Sequence, residues 1–103
     1  MSIDYHAFKK ITDNPIVLNF SKCNYLGEVH KELKEKFGLP EYYGENWDAL
    51  WDCLEYLFED QIKVRIIGYN LMPENLKEEC RKMLRVFDDV HNRTPNFNYE
   101  IIS

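Results

Sequence analysis

The stretch from Leu39 to Phe58, LPEYYGENWDALWDCLEYLF, constrains the fold more than any other part of the chain. Pro40 and Gly44 mark its first part as a loop. From Trp47 onward the spacing is that of an amphipathic helix, with one apolar and one acidic stripe. Between Gly38 and Ile62 there are seven carboxylates (Glu41, Glu45, Asp48, Asp52, Glu55, Glu59, Asp60) and no Lys or Arg. The whole chain has 18 acidic and 13 basic residues, net −5; taking out those seven leaves 11 acids against all 13 bases. The protein is therefore not acidic in general. Its negative charge is gathered in one place.

A chain of 103 residues with 45% hydrophobic and 15% aromatic content is long and apolar enough for one domain with a real core. The start, MSIDYHAFKK, lacks a basic segment followed by an apolar run, so a secretory leader is not expected. No run of 18 apolar residues occurs, so no membrane span is expected. Cys23, Cys53 and Cys80 are odd in number and widely spaced, which fits free thiols in a reducing cytoplasm. The acidic balance argues against nucleic acid as a partner.

The remaining chain divides readily. Residues 1–14 form an N-terminal extension, an arm or a short helix, ending in Asp13-Asn14-Pro15; residues 15–103 form the domain. Ile16 to Phe20 reads as a short strand buried on both faces. Leu26, Val29, Leu33 and Phe37 then give one apolar helix face, which Gly38 and Pro40 close. After the central helix, Ile62 to Ile67 alternates as a strand. Leu76, Cys80, Met83, Leu84 and Phe87 mark a last helix that Val90 extends, a loop covers Asn92 to Asn96, and Phe97 to Ile102 is a third strand. Helical crossovers between short apolar strands imply parallel pairing. The expected fold is α/β, a small three-stranded parallel sheet with helices packed on it.

At about 100° per residue, Asp48, Asp52, Glu55 and Glu59 lie within roughly 60° of one another. Trp47, Leu50, Trp51, Leu54, Leu57 and Phe58 occupy a separate arc. Like charges one turn apart cost only about 0.2–0.5 kcal/mol per pair, so the apolar arc holds the helix in spite of them. Such a row can stay solvated, hold a metal or face a cationic partner. Mixed signs are usual on solvated faces, and no His or Gly-rich ligand loop accompanies the row; a cationic partner is the sharper expectation, and no metal or cofactor is expected. Asn46 suits the N-cap. Tyr42 and Tyr43 are either a lid over the core or exposed anchors for a partner. His30 and Cys53 read as structural.

The segment LPEYYGENWDALWDCL closely resembles the barstar family of intracellular ribonuclease inhibitors. Weaker likeness runs through His30-Lys31-Glu32-Leu33, Val86-Phe87 and the final Ile-Ile-Ser. The resemblance implies a monomeric cytoplasmic inhibitor, not an enzyme. It would bind a basic extracellular ribonuclease of the barnase type one to one, with its second helix and the preceding loop in the active site. Tyr42, Tyr43, Gly44, Asn46, Asp48, Trp51, Asp52 and Asp89 would then be partner-binding. Asp52 would occupy the position of a substrate phosphate. The sequence departs from the family pattern at Trp47, Glu55, Tyr56-Leu57, Gln61 and Arg93. Arg93 stands where a second acid is expected about one turn after Asp89. Glu55 is thereby the candidate for this protein's own specificity, and another basic protein or nuclease toxin is the alternative target.

Overall fold

The computed structural model describes residues 15–55 and 61–103. Strand β1 (Ile16–Asn19) leads into helix α1 (Leu26–Phe37), helix α2 (Trp47–Glu55), strand β2 (Ile62–Ile67), a 3-10 turn (Tyr69–Leu71), helix α3 (Glu74–Arg93) and strand β3 (Phe97–Ile101). The expected parallel three-stranded α/β sheet is what forms. The strand order is β1-β2-β3. Ile16 pairs with Val64 and Leu18 with Ile66, while Ile62 pairs with Phe97 and Val64 with Tyr99. The longest strand, β2, is central, so both its edges are used.

Alternation decides which way each strand faces. Ile16 and Leu18 of β1 and Ile62, Val64 and Ile66 of β2 are buried, together with Phe20 and Phe97. Lys63, Arg65, Asn98 and Glu100 lie on the other face and are exposed. β1 is thus not buried on both faces as its apolar run suggested: Val17 is 38% exposed and Asn19 is exposed. The reason is layering. Helices α1 and α3 pack on one side of the sheet, and α2 packs on α3. Among the described residues no helix covers the opposite side, where Arg65 instead reaches Glu100 of the neighbouring strand at 3.3 Å.

The helices start and stop for local reasons. Glu28 turns its carboxylate back to the Asn24 N–H at 2.9 Å, which satisfies a donor at the start of α1. Gly38, at φ 63°, ends α1 in the left-handed region, as its position before Leu39-Pro40 implied. Glu32 accepts the Asn19 N–H at 2.8 Å and so ties α1 to the end of β1. Leu76, Cys80, Met83, Val86, Phe87 and Val90 form the buried face of α3. Leu84, expected there, is only half-buried, and α3 continues through Asn92 to Arg93 where a loop was expected. Its outer acids and bases pair as Glu74–Lys77, Glu78–Arg81 and Glu79–Lys82. These pairs lie at or near the surface and carry little energetic weight.

An aromatic cluster joins α1, α3 and β3. The Phe87 ring is 6.1 Å from Phe37, 5.6 Å from Phe97 and 5.4 Å from Tyr99, all in tilted or edge-on geometry. Gly68 forms the corner after β2. Its φ is 76°, and a Cβ there would lie 2.3 Å from the Ser21 backbone nitrogen, so two chain segments meet where no side chain fits.

Candidate functional site

Helix α2 divides as its periodicity requires. Leu50 and Leu54 are fully buried and Cys53 is 5% exposed. Each leucine contributes about 1.5–3 kcal/mol of burial, which fixes the helix rotation. Trp47 and Trp51 are half-buried against the core. Leu57, Phe58 and Glu59, assigned to the two stripes, lie outside the described residues. Asp48, Asp52 and Glu55 are exposed on the outer side.

The helix begins at a tight loop that Asn46 closes. Its Oδ1 accepts the Ala49 N–H at 2.8 Å, the N-cap bond expected of it. Its Nδ2 donates to the Gly44 carbonyl at 3.2 Å. Glu45 between them has φ 50°, a left-handed conformation unusual for a residue with a side chain. Both ends of the Asn46 amide therefore serve the loop itself. Farther back, the Tyr43 N–H donates to the Pro40 carbonyl at 2.9 Å, and Glu41 meets Lys34 of α1 at 3.0 Å.

The two tyrosines part company. Tyr42 is 50% exposed. Tyr43 is a lid: it is 7% exposed, and its hydroxyl lies 2.7 Å from His30 Nδ1. His30 is itself 2% exposed, as a structural histidine should be. Its ring lies against Trp47, tilted by 39° with centroids 4.6 Å apart, and Trp47 Nε1 donates to Glu79 of α3 at 3.2 Å. The chain α1–loop–α2–α3 is thus linked by His30, Tyr43, Trp47 and Glu79. Burial holds His30 below its usual pKa of 6.5 and pushes the Tyr43 phenol up. The bond to Trp47, then that to Lys82, lowers Glu79. His30 Nε2 is buried and has no hydrogen-bond partner.

The expectation that the whole carboxylate row faces outward unpaired is corrected at Glu55. Arg93, from the far end of α3, donates from Nη1 to Glu55 Oε1 at 2.9 Å. Its guanidinium also lies over the Trp51 ring, 5.0 Å from the centroid. The missing cation of α2 is supplied by another helix. The ion pairs of the described residues include neither Asp48 nor Asp52. Asp89, exposed one turn before Arg93 on α3, flanks the same side. The structure therefore brings Asp48, Trp51, Asp52 and Glu55 together on α2, puts Asp89 on its neighbour, and withdraws Tyr43 into the core.

Two of these connections were not visible in the sequence. Arg93 stood out only as a basic residue at a position where an acid was expected, with nothing to say that it would meet Glu55. Glu79 belonged to a regular run of surface charges. The thiols are inert by contrast. Burial pushes Cys23 up to about 11 and Cys80 to about 12, and it raises Cys53, with neighbouring Asp52 adding to the effect.

The α/β domain thus locks one face of α2 into its core through Leu50 and Leu54 and leaves Asp48 and Asp52 exposed on the other. Its sequence matches the family Barstar (barnase inhibitor) over residues 14–101, and the chain belongs to that family, one of inhibitors rather than enzymes. It is also similar to a Bacillus subtilis (strain 168) protein named "Putative ribonuclease inhibitor YrdF", with 62% identity over 26 residues. That match covers 25% of this chain and 29% of the relative, less than a third of its length. No described helix is long and apolar enough to cross a membrane.

Proposed function

We propose that this protein is an intracellular inhibitor that blocks the active site of a secreted, basic ribonuclease of the barnase type and so protects the cell that makes it. Helix α2 and the loop before it enter the cleft of the enzyme. Asp52 takes the place of an RNA phosphate among the cationic groups that would bind it, and Asp48 meets a second cation one turn away. Tyr42 covers the rim. Trp51, Gly44 and Asp89 border the contact, while Asn46 and Tyr43 hold the loop in the binding shape. Binding is one to one, and the inhibitor is a monomer. It uses no metal or cofactor.

The observation that carries this reading is the unpaired, outward placement of Asp48 and Asp52 on a helix anchored by Leu50 and Leu54. A helix already held rigid loses little entropy on docking, so its charges are effective as they stand. Charge complementarity would also speed encounter with a basic enzyme at low salt.

The test is inhibition of barnase by the native protein and by Asp52→Ala. Loss of a central carboxylate leaves buried enzyme cations unpaired and should weaken inhibition by at least about 2 kcal/mol, roughly thirtyfold. Equal inhibition by both proteins would remove the active-site reading. The Glu55–Arg93 ion pair favours a second reading, in which the same face serves another basic protein or nuclease toxin.

A further inference from the structure

Glu55 of α2 and Arg93 of α3 meet each other. Trp51 and Glu55 are one turn apart on α2, and the Arg93 guanidinium spans both: 2.9 Å to the Glu55 carboxylate and 5.0 Å to the Trp51 ring centroid. Together with Val90 and Thr94 these residues line a shallow cleft between α2 and α3. The Trp51–Glu55 ridge runs directly beside the Asp48–Asp52 ridge. Arg93 therefore cancels the charge of Glu55 without touching the two aspartates. Its side chain is nonetheless 63% exposed, so the cation stays available at the flank of the acidic face. Held by a carboxylate on one side and a ring on the other, it is fixed before any partner arrives.

We propose that Arg93 is a specificity-determining residue. It ends the negative face at Asp52 and selects a nuclease whose basic cleft carries a carboxylate opposite residue 93, and it rejects nucleases whose positive surface continues across that flank. The inference rests on the active-site reading above. A cleft that binds a phosphodiester chain extends its positive potential beyond the reacting phosphate. Such a surface meets a like charge at Arg93, and a like charge at an interface discriminates as strongly as a favourable contact does. The device is economical in structural terms, because the cation comes from α3 and leaves the packing of α2 unchanged.

Barnase is the probe. Its association and dissociation rates are measured at low and high salt with the native protein, Arg93→Lys, Arg93→Ala, Arg93→Glu and Asp52→Ala, with thermal unfolding as a check on folding. Arg93→Lys, which keeps the charge but loses the planar contact with Trp51, should fall between the native protein and Arg93→Ala. Arg93→Ala should bind more tightly, and Arg93→Glu at least tenfold more tightly, chiefly through faster association and with the gain shrinking as salt rises. If the native protein fails to bind and Arg93→Glu binds, the proposal stands in its strongest form. If Arg93→Ala and Arg93→Glu bind equally or more weakly, Arg93 is only a brace between helices and the proposal fails. Loss of binding by Asp52→Ala in that case leaves the active-site reading intact, whereas no effect of Asp52→Ala removes that reading as well.

Discussion

His30 Nδ1 and the Tyr43 hydroxyl meet 2.7 Å apart in the core, and through this one bond the first helix sets the position of the loop that leads into α2. Burial holds the folded-state pKa of His30 below its ordinary 6.5, against the smaller opposing pull of Glu45 and Glu79. As pH falls, the unfolded chain takes up this proton before the folded chain does. The stability owed to neutral His30 is therefore complete above about 6.5 and is lost as pH drops from there through the folded-state value. Urea unfolding should show a lower midpoint at pH 5.5 than at pH 7.5, a range in which surface carboxylates stay largely ionised. In His30→Gln the difference should shrink; an unchanged pH slope would assign it to other groups.

Neighbouring tyrosines should separate stability from binding. Tyr43→Phe removes the hydroxyl that His30 uses and leaves both ring nitrogens of a buried histidine unpartnered. It should cost about 1–3 kcal/mol of folding free energy. Tyr42→Ala, at a half-exposed site, should change stability by less than about 0.5 kcal/mol yet weaken barnase binding by about tenfold or more. Denaturation and inhibition measured on the same two variants decide this. The reverse pattern would mean that Tyr43 leaves the core on binding.

Gly68→Ala should be the more damaging of two glycine substitutions. Its Cβ would fall 2.3 Å from the Ser21 nitrogen, at a φ of 76° that alanine resists. Strain and backbone displacement together should cost about 3 kcal/mol. At Gly44 the nearest atom to an added Cβ is the Asn46 side-chain nitrogen at 3.2 Å, which can shift. Gly44→Ala should cost less than about 1 kcal/mol. Comparable unfolding midpoints for the two variants would contradict this account.

Much of this fold was legible because local rules and tertiary packing agree. The 3.6-residue spacing of Val29, Leu33 and Phe37, and the stop at Gly38-Pro40, needed no knowledge of what packs against them. The same holds for Asn46, whose capping role follows from its own side chain. The failures all involve distant partners. The apolar run of β1 did not reveal that, among the described residues, the helices lie on one side of the sheet, so Val17 reads as buried when it is 38% exposed. A Tyr-Tyr pair on a turn did not say which ring would turn inward, because that depends on His30 in another helix. Above all, Glu55 looked unpaired because its partner is 38 residues away in the chain. Charges on one helix can be counted by angle; a cation contributed by a second helix cannot.

The sheet has a kinetic consequence. None of its strand pairs is a hairpin: Ile16 aligns with Val64, and Ile62 with Phe97. Each pairing must close a loop of several dozen residues before any ladder bond rewards it, and such closure is slow compared with helix formation. Helices α1 and α3 are therefore the early structures, and β2, which must find both neighbours at once, is the late one. Helix α2, only nine residues long, is too short to persist alone and gains its support when α3 and the sheet are in place.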